Sequence, residues 1–151
     1  MRQETKPFSE EKSTDMKRCT LDTNIITAFL KNDLRVVESV ANYLETFEKL
    51  TINVISYYEI LRGLKHLGSE EKLRRFEDFI EDNELVWIRK ETVEEAAEIY
   101  AYLKKAGTLI EDADILMASI AIVEDLTLVT NNPNHFERIQ GLRLDNWLID
   151  K

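Results

Sequence analysis

The chain carries one cysteine, two histidines, two prolines and four glycines in 151 residues. A lone cysteine, Cys19, excludes an internal disulfide and suits a reducing cytoplasm; it lies in a strand-like run and reads as core packing. His66 and His135 are far apart in sequence and offer no paired imidazoles, which argues against zinc. No apolar run approaches the roughly 20 residues needed to cross a bilayer. The opening MRQETKPFSEEKSTDMK has no apolar stretch of the kind a secretion signal requires. Basic residues are also short: 20 Lys and Arg stand against 29 Asp and Glu, a net charge of −9. That argues against a protein that coats nucleic acid through a broad basic face. It leaves open an enzyme that gathers acids around a cation and keeps its bases at the rim.

What is present is ordinary globular material, 44% hydrophobic and 32% charged, enough for one domain with a substantial core. Residues 1–15 are polar and aperiodic and are expected to be disordered, leaving 16–151 as a single domain. Short apolar runs at Lys17–Leu21, Thr51–Ile55, Leu85–Ile88 and Leu126–Val129 read as strands, with Leu142–Leu144 as a small edge strand. Helical spacing fills the gaps: Ile25–Leu30, Leu34–Leu50 (through Val37, Val40, Ala41, Leu44 and Phe47), Ser56–Leu67, Ser69–Ile80, and a helix opened by a capping box at Thr92 with Val93, Ala96, Ala97, Tyr100 and Leu103 inward. The run DADILMASIAI at 112–122 is apolar nearly all round, as a central helix should be. Gly68 and Gly107 sit where helices end. Strands alternating with helices predict an α/β fold, a three-layer α/β/α sandwich with a mostly parallel sheet of four to five strands.

In open parallel sheets ligands bind beyond the carboxyl ends of the strands. Asp22 directly follows the first strand, Glu59 lies about one turn after the second, Asp114 opens the central helix, and Asn132 follows the fourth strand. Carboxylates brought to one edge repel unless a shared proton or a cation offsets them. An all-oxygen set suits a hard cation, Mg2+ or Mn2+. Each acid also has an ordinary reading as a helix cap: Ser56 and Glu59 match a capping box, Asp22 can cap a helix from Thr23, and Asp112 one from Ala113, with Glu111 a solvated loop acid. Asp114 is the acid that capping does not explain. Asn131 and Asn132 also suit a plain turn before Pro133.

LDTNII at 21–26, SYYEILRGL at 56–64, DADILMASIAI at 112–122 and LVTNNPNHFERIQGLRLDNW at 128–147 together resemble the PIN-domain ribonucleases, and most of all the VapC-type toxins of toxin–antitoxin pairs. The resemblance spans about Cys19 to Trp147. It implies hydrolysis of RNA phosphodiester bonds with Mg2+ or Mn2+ held by Asp22, Glu59 and Asp114. Asn132 falls at the fourth position, often Asp, which weakens the case for a second permanently held ion. Thr130 would orient water or phosphate, and Arg62 would contact phosphate, a surface ion pair being its ordinary alternative. Lys65, His66, Lys72, Arg74 and Arg75 form the densest basic region, with Lys65 a further substrate contact. Tyr57 and Tyr58 read either as base-stacking platforms or as packing. The family further implies a cytoplasmic homodimer, a VapB-type antitoxin seated on a groove near Val37, Val40, Leu44, Phe47, Ile60 and Leu64, and DNA contact only through that antitoxin. Structured RNA is the expected substrate, with tRNA favoured. Two readings compete: a PIN-like binding or assembly module with little or no catalysis, and a phosphatase on a similar sheet, for which the Asp-x-Asp nucleophile motif is missing after the first strand.

Overall fold

The computed structural model describes residues 16–150. The expectation of disorder over 1–15 lies outside the described residues. Five strands, β1 (Cys19–Leu21), β2 (Thr51–Asn53), β3 (Glu84–Val86), β4 (Thr127–Val129) and β5 (Arg143–Asp145), form one sheet in the order β3-β2-β1-β4-β5. Every pairing is parallel, including the edge strand β5, so the sheet is fully rather than mostly parallel. Six helices connect them: α1 (Thr23–Leu30), α2 (Leu34–Tyr43), α3 (Val54–Leu67), α4 (Glu70–Glu81), α5 (Lys90–Ala106) and α6 (Asp112–Val123), with a single 3-10 turn at Pro133–His135.

Strand side chains alternate between faces, and the two cores follow from that alternation. Val129 belongs with Leu21, Ile52, Ile26, Val40 and Phe76 in a cluster closed by α1 to α4, whereas its neighbour Leu128 joins Met117, Ala118, Ala121 and Leu103 under α5 and α6. Helix α6 is the central packing element. Met117, Ala118, Ser119, Ile120 and Ala121 are all fully buried, and the small side chains of Ala118, Ser119 and Ala121 let the helix lie close to its neighbours. Cys19 is buried as expected, with its thiol pushed up to about 12 by that burial.

Several boundaries differ from the sequence reading. The second strand ends at Asn53, and α3 starts at once because Asn53 caps it, its side chain accepting from the Ser56 amide at 2.8 Å. The capping box at Ser56 and Glu59 therefore does not form; the Ser56 hydroxyl donates to the Leu21 carbonyl instead, 2.8 Å away. Helix α2 stops at Tyr43, and its buried face is Val36, Val40 and Tyr43, not the face through Val37, Ala41 and Leu44. Phe47 still packs inward, stacked on Tyr43 with ring centroids 4.6 Å apart. Helix α5 begins at Lys90, and Thr92 is its third residue, accepting from the Arg89 amide at 3.0 Å. A threonine makes the same local bond from either end of a capping box, so the sequence signal fitted both placements. The shift buries Ala96, Ile99 and Leu103 and exposes Val93, Ala97 and Tyr100. Helix α6 starts at Asp112 itself, so Glu111 holds the cap position that Asp112 was expected to fill, and no side-chain cap bond is made there.

Candidate active site

Asp22 extends β1 by one step, its amide donating to the Val129 carbonyl at 2.8 Å, and caps α1 through a 2.6 Å bond from the Thr23 amide. Its other oxygen, Oδ2, accepts from the Thr130 hydroxyl at 2.8 Å. Thr130 is fully buried at the end of β4, and the same hydroxyl accepts from the Asn132 amide at 3.0 Å. Glu59 lies in the second turn of α3 and takes a short hydrogen bond from the Thr23 hydroxyl onto Oε1. Asp114 is the third residue of α6, and its Oδ2 lies 2.8 Å from Nε2 of His135.

These residues line one open pocket of about 400 Å³, formed by Asp22, Thr23, Asn24, Glu59, Arg62, Asp114, Asn132, His135 and Phe136. Asp22, Glu59, Asp114, Asn132 and Arg62 are thus brought together from four separate stretches of chain, Glu59 and Arg62 sharing one face of α3. Thr130 acts one layer behind, through Asp22. Lys65 is exposed on the last turn of α3 and does not line the pocket. A rotation of three residues from Glu59 to Arg62 keeps the helix face, whereas six residues to Lys65 turns it away. His66 is likewise exposed.

The sequence reading missed His135 and Thr23. His135 was set aside because no second histidine stood near it; the relevant partner was an acid 21 residues earlier. Thr23 lay inside LDTN and was read only as the start of a helix.

Burial is the main cause pushing both Asp22 and Asp114 above the ordinary carboxylate range. Thr130 and the Thr23 amide pull Asp22 back, and His135 does the same for Asp114, while Glu59 opposes the charge on Asp22 and Asp22 that on Asp114. Placement at the first turns of α1 and α6 offsets part of the cost, since helix N-termini attract negative charge. Among the described residues no Lys or Arg forms an ion pair with Asp22, Glu59 or Asp114. Arg62 makes no such pair either; its guanidinium sits 5.1 Å above the Tyr58 ring, which is exposed, whereas Tyr57 packs against Phe76 at 5.9 Å. The surface ion pair considered for Arg62 is absent among the described residues.

Carboxylates half-withdrawn from water and, among the described residues, paired with no Lys or Arg have the chemistry of a hard-cation site. As they stand, no group of three His, Cys, Asp or Glu side chains among the described residues converges at ligating distance. Each acid instead gives one oxygen to a protein hydroxyl or imidazole. A carboxylate oxygen has two acceptor positions, so these bonds leave capacity on every acid.

Known proteins resemble this chain over most of its length. Residues 19–142 match the PIN domain model. The chain is 32% identical over 133 residues to the tRNA(fMet)-specific endonuclease VapC of Salmonella typhimurium, covering 87% of this chain and 99% of that one. It is 29% identical to Ribonuclease VapC1 of Methanocaldococcus jannaschii, across 92% of this chain and 95% of the relative. Among solved structures, DNA-bound VapBC from Salmonella typhimurium superposes with a TM-score of 0.77 at 30% identity, over 87% of this chain and 99% of the other. This chain belongs to the PIN-domain family, on its VapC branch. Both the resemblance and the α/β/α fold expected from sequence are borne out.

Proposed function

We propose that this protein is a divalent-cation-dependent endoribonuclease, the toxin of a VapBC-type pair, with tRNA as its substrate class. The observation that carries the reading is that Asp22, Glu59 and Asp114 line one pocket and, among the described residues, form no ion pair with Lys or Arg. These three acids would hold Mg2+ or Mn2+. When bound, such an ion lowers the pKa of a water molecule and neutralises charge that develops on a phosphate. The chain's own residues supply the rest. Thr130 and Thr23 fix one oxygen each of Asp22 and Glu59. Asn132 carries an amide at the rim to orient water or a phosphate oxygen. Arg62, unpaired with any acid among the described residues, lines the same pocket and would contact the phosphate. Lys65, Lys72, Arg74 and Arg75 lie outside the pocket and would follow the RNA backbone away from it.

The names of the relatives support RNA as substrate, and the Salmonella enzyme's name supports tRNA. The VapBC complexes among the structural relatives support a VapB-type antitoxin partner, with DNA bound through the complex. A groove of about 480 Å³ lined by Leu30, Ile60, Leu64 and Leu67, and rimmed by Lys31, Lys72 and Arg75, offers that partner an apolar floor with a basic edge. Homodimerisation is part of the same proposal. Among the described residues no helix is long and apolar enough to cross a membrane.

The test is cleavage of a total tRNA pool by the purified protein with Mg2+, with Mn2+ and with EDTA, beside Asp114→Asn. Discrete fragments that require the ion and Asp114 support the reading. Equal behaviour of wild type and D114N, with and without metal, would sink it and favour a binding module without catalysis.

A further inference from the structure

The three acids of the pocket are each anchored by one neighbour: Asp22 by Thr130, Glu59 by Thr23 and Asp114 by His135. The third anchor differs from the others in kind. An imidazole is larger than a hydroxyl and has a plane, so it fixes the orientation of a carboxylate as well as its distance. His135 is itself held. Its amide donates to the Asn132 carbonyl at 3.1 Å, and its ring stands edge-on to Phe136, with centroids 5.5 Å apart at 86°. Phe136 is fully buried in the α5–α6 core, so one edge of the His135 ring rests on the protein interior. The His135 side chain is 35% exposed and that of Asp114 is 23% exposed, so the bond is partly shielded from water. Among the described residues no donor reaches Oδ1 of Asp114.

We propose that His135 is a positioning residue for the cation site: Nε2–H holds Oδ2 of Asp114 so that Oδ1 is presented to the divalent ion. This rests on the cation-dependent reading above and adds to it a residue that acts only through Asp114. Partners that orient a ligating side chain from behind typically alter metal affinity by roughly 10–100-fold when removed.

The experiment is a titration of the full-length, metal-free chain with Mn2+, followed by calorimetry or by the electron paramagnetic resonance of free Mn2+, for wild type, His135→Ala, His135→Gln and Asp114→Asn. Thermal unfolding without metal accompanies each titration, and little change is expected for the partly exposed His135. H135A should weaken Mn2+ binding by roughly 10–100-fold, and H135Q, whose side-chain amide can still donate to Oδ2, should recover most of the loss. A purely structural histidine would not be rescued in this way. The proposal is overturned if H135A binds Mn2+ as tightly as wild type, or if H135Q binds as weakly as H135A. If folded wild type binds no Mn2+ at all, the cation reading itself falls and takes the role of His135 with it. D114N marks that outcome as the baseline.

Discussion

Thr130 and Asp22 are 108 residues apart in the chain, yet the Thr130 hydroxyl donates to Asp22 Oδ2 at 2.8 Å across the β1–β4 pair. The Thr130 hydroxyl oxygen also accepts from the Asn132 amide, so one buried hydroxyl ties an acid of the site to the loop that carries Asn132, His135 and Phe136.

Replacing Thr130 with Val keeps the shape but removes both bonds, leaving the Asn132 amide without its acceptor. A loss of about 1–3 kcal/mol in unfolding free energy is expected. Cleavage should fall further than stability alone explains. Urea unfolding and tRNA cleavage, measured on the same preparation, check the pair of effects.

Asp114→Asn should leave the fold intact while reducing cleavage by on the order of 100-fold or more, because an inner ligand costs at least as much as an orienting partner. The comparison is initial rates at saturating Mg2+ against circular dichroism of the two proteins.

Both Asp22 and Asp114 are raised above 3.8 in the folded protein, chiefly by burial. A raised acid contributes its stability below its unfolded pKa and loses it as pH rises through the folded one. The metal-free protein should therefore be relieved of buried charge by Asp22→Asn at neutral pH, where Asn keeps the cap on α1 through its one oxygen and can turn its NH2 toward the Thr130 hydroxyl. That gain in Tm should vanish as pH falls below about 4. A gain that persisted unchanged at acid pH would mean burial of charge is not its source.

Adding Mg2+ should stabilise the wild-type protein by about 2.7 kcal/mol at a hundred times its dissociation constant, and should do little for D22N or D114N. Melting curves over a range of Mg2+ concentrations give the result directly.

Asn53 is fully buried; it caps α3 and donates to both the Thr20 hydroxyl and the Leu21 carbonyl at 3.1 Å. Asn53→Ala removes a cap, takes a donor from the Thr20 hydroxyl and leaves the Leu21 carbonyl with the Ser56 hydroxyl alone, at about 1–3 kcal/mol. Equilibrium unfolding should show it, and Mn2+ affinity should drop with it, since α3 carries Glu59.

Strand and helix order, the burial of the 112–122 segment and the meeting of Asp22, Glu59, Asp114 and Asn132 at one pocket were legible in the chain alone. Hydrophobic spacing is a local property, and acids at strand ends follow from the topology of a parallel sheet. Helix starts were less legible. Asn53 outcompeted Ser56 as a cap, and Thr92 fitted two registers, because capping bonds of equal local quality are chosen by which face the rest of the fold buries.

Only the tertiary structure could decide what sits beside each acid. Strand and helix spacing in the chain already placed the carboxylates at one sheet edge, with Arg62 open to either a phosphate or an ion pair. That spacing did not determine that Thr23 would meet Glu59, that His135 would meet Asp114, or that Arg62 would face the pocket while Lys65 turned away. Those contacts depend on helix rotation and on distances between separate strands, and they are fixed by packing against Phe136, Met117 and Leu21 rather than by any neighbour in the chain.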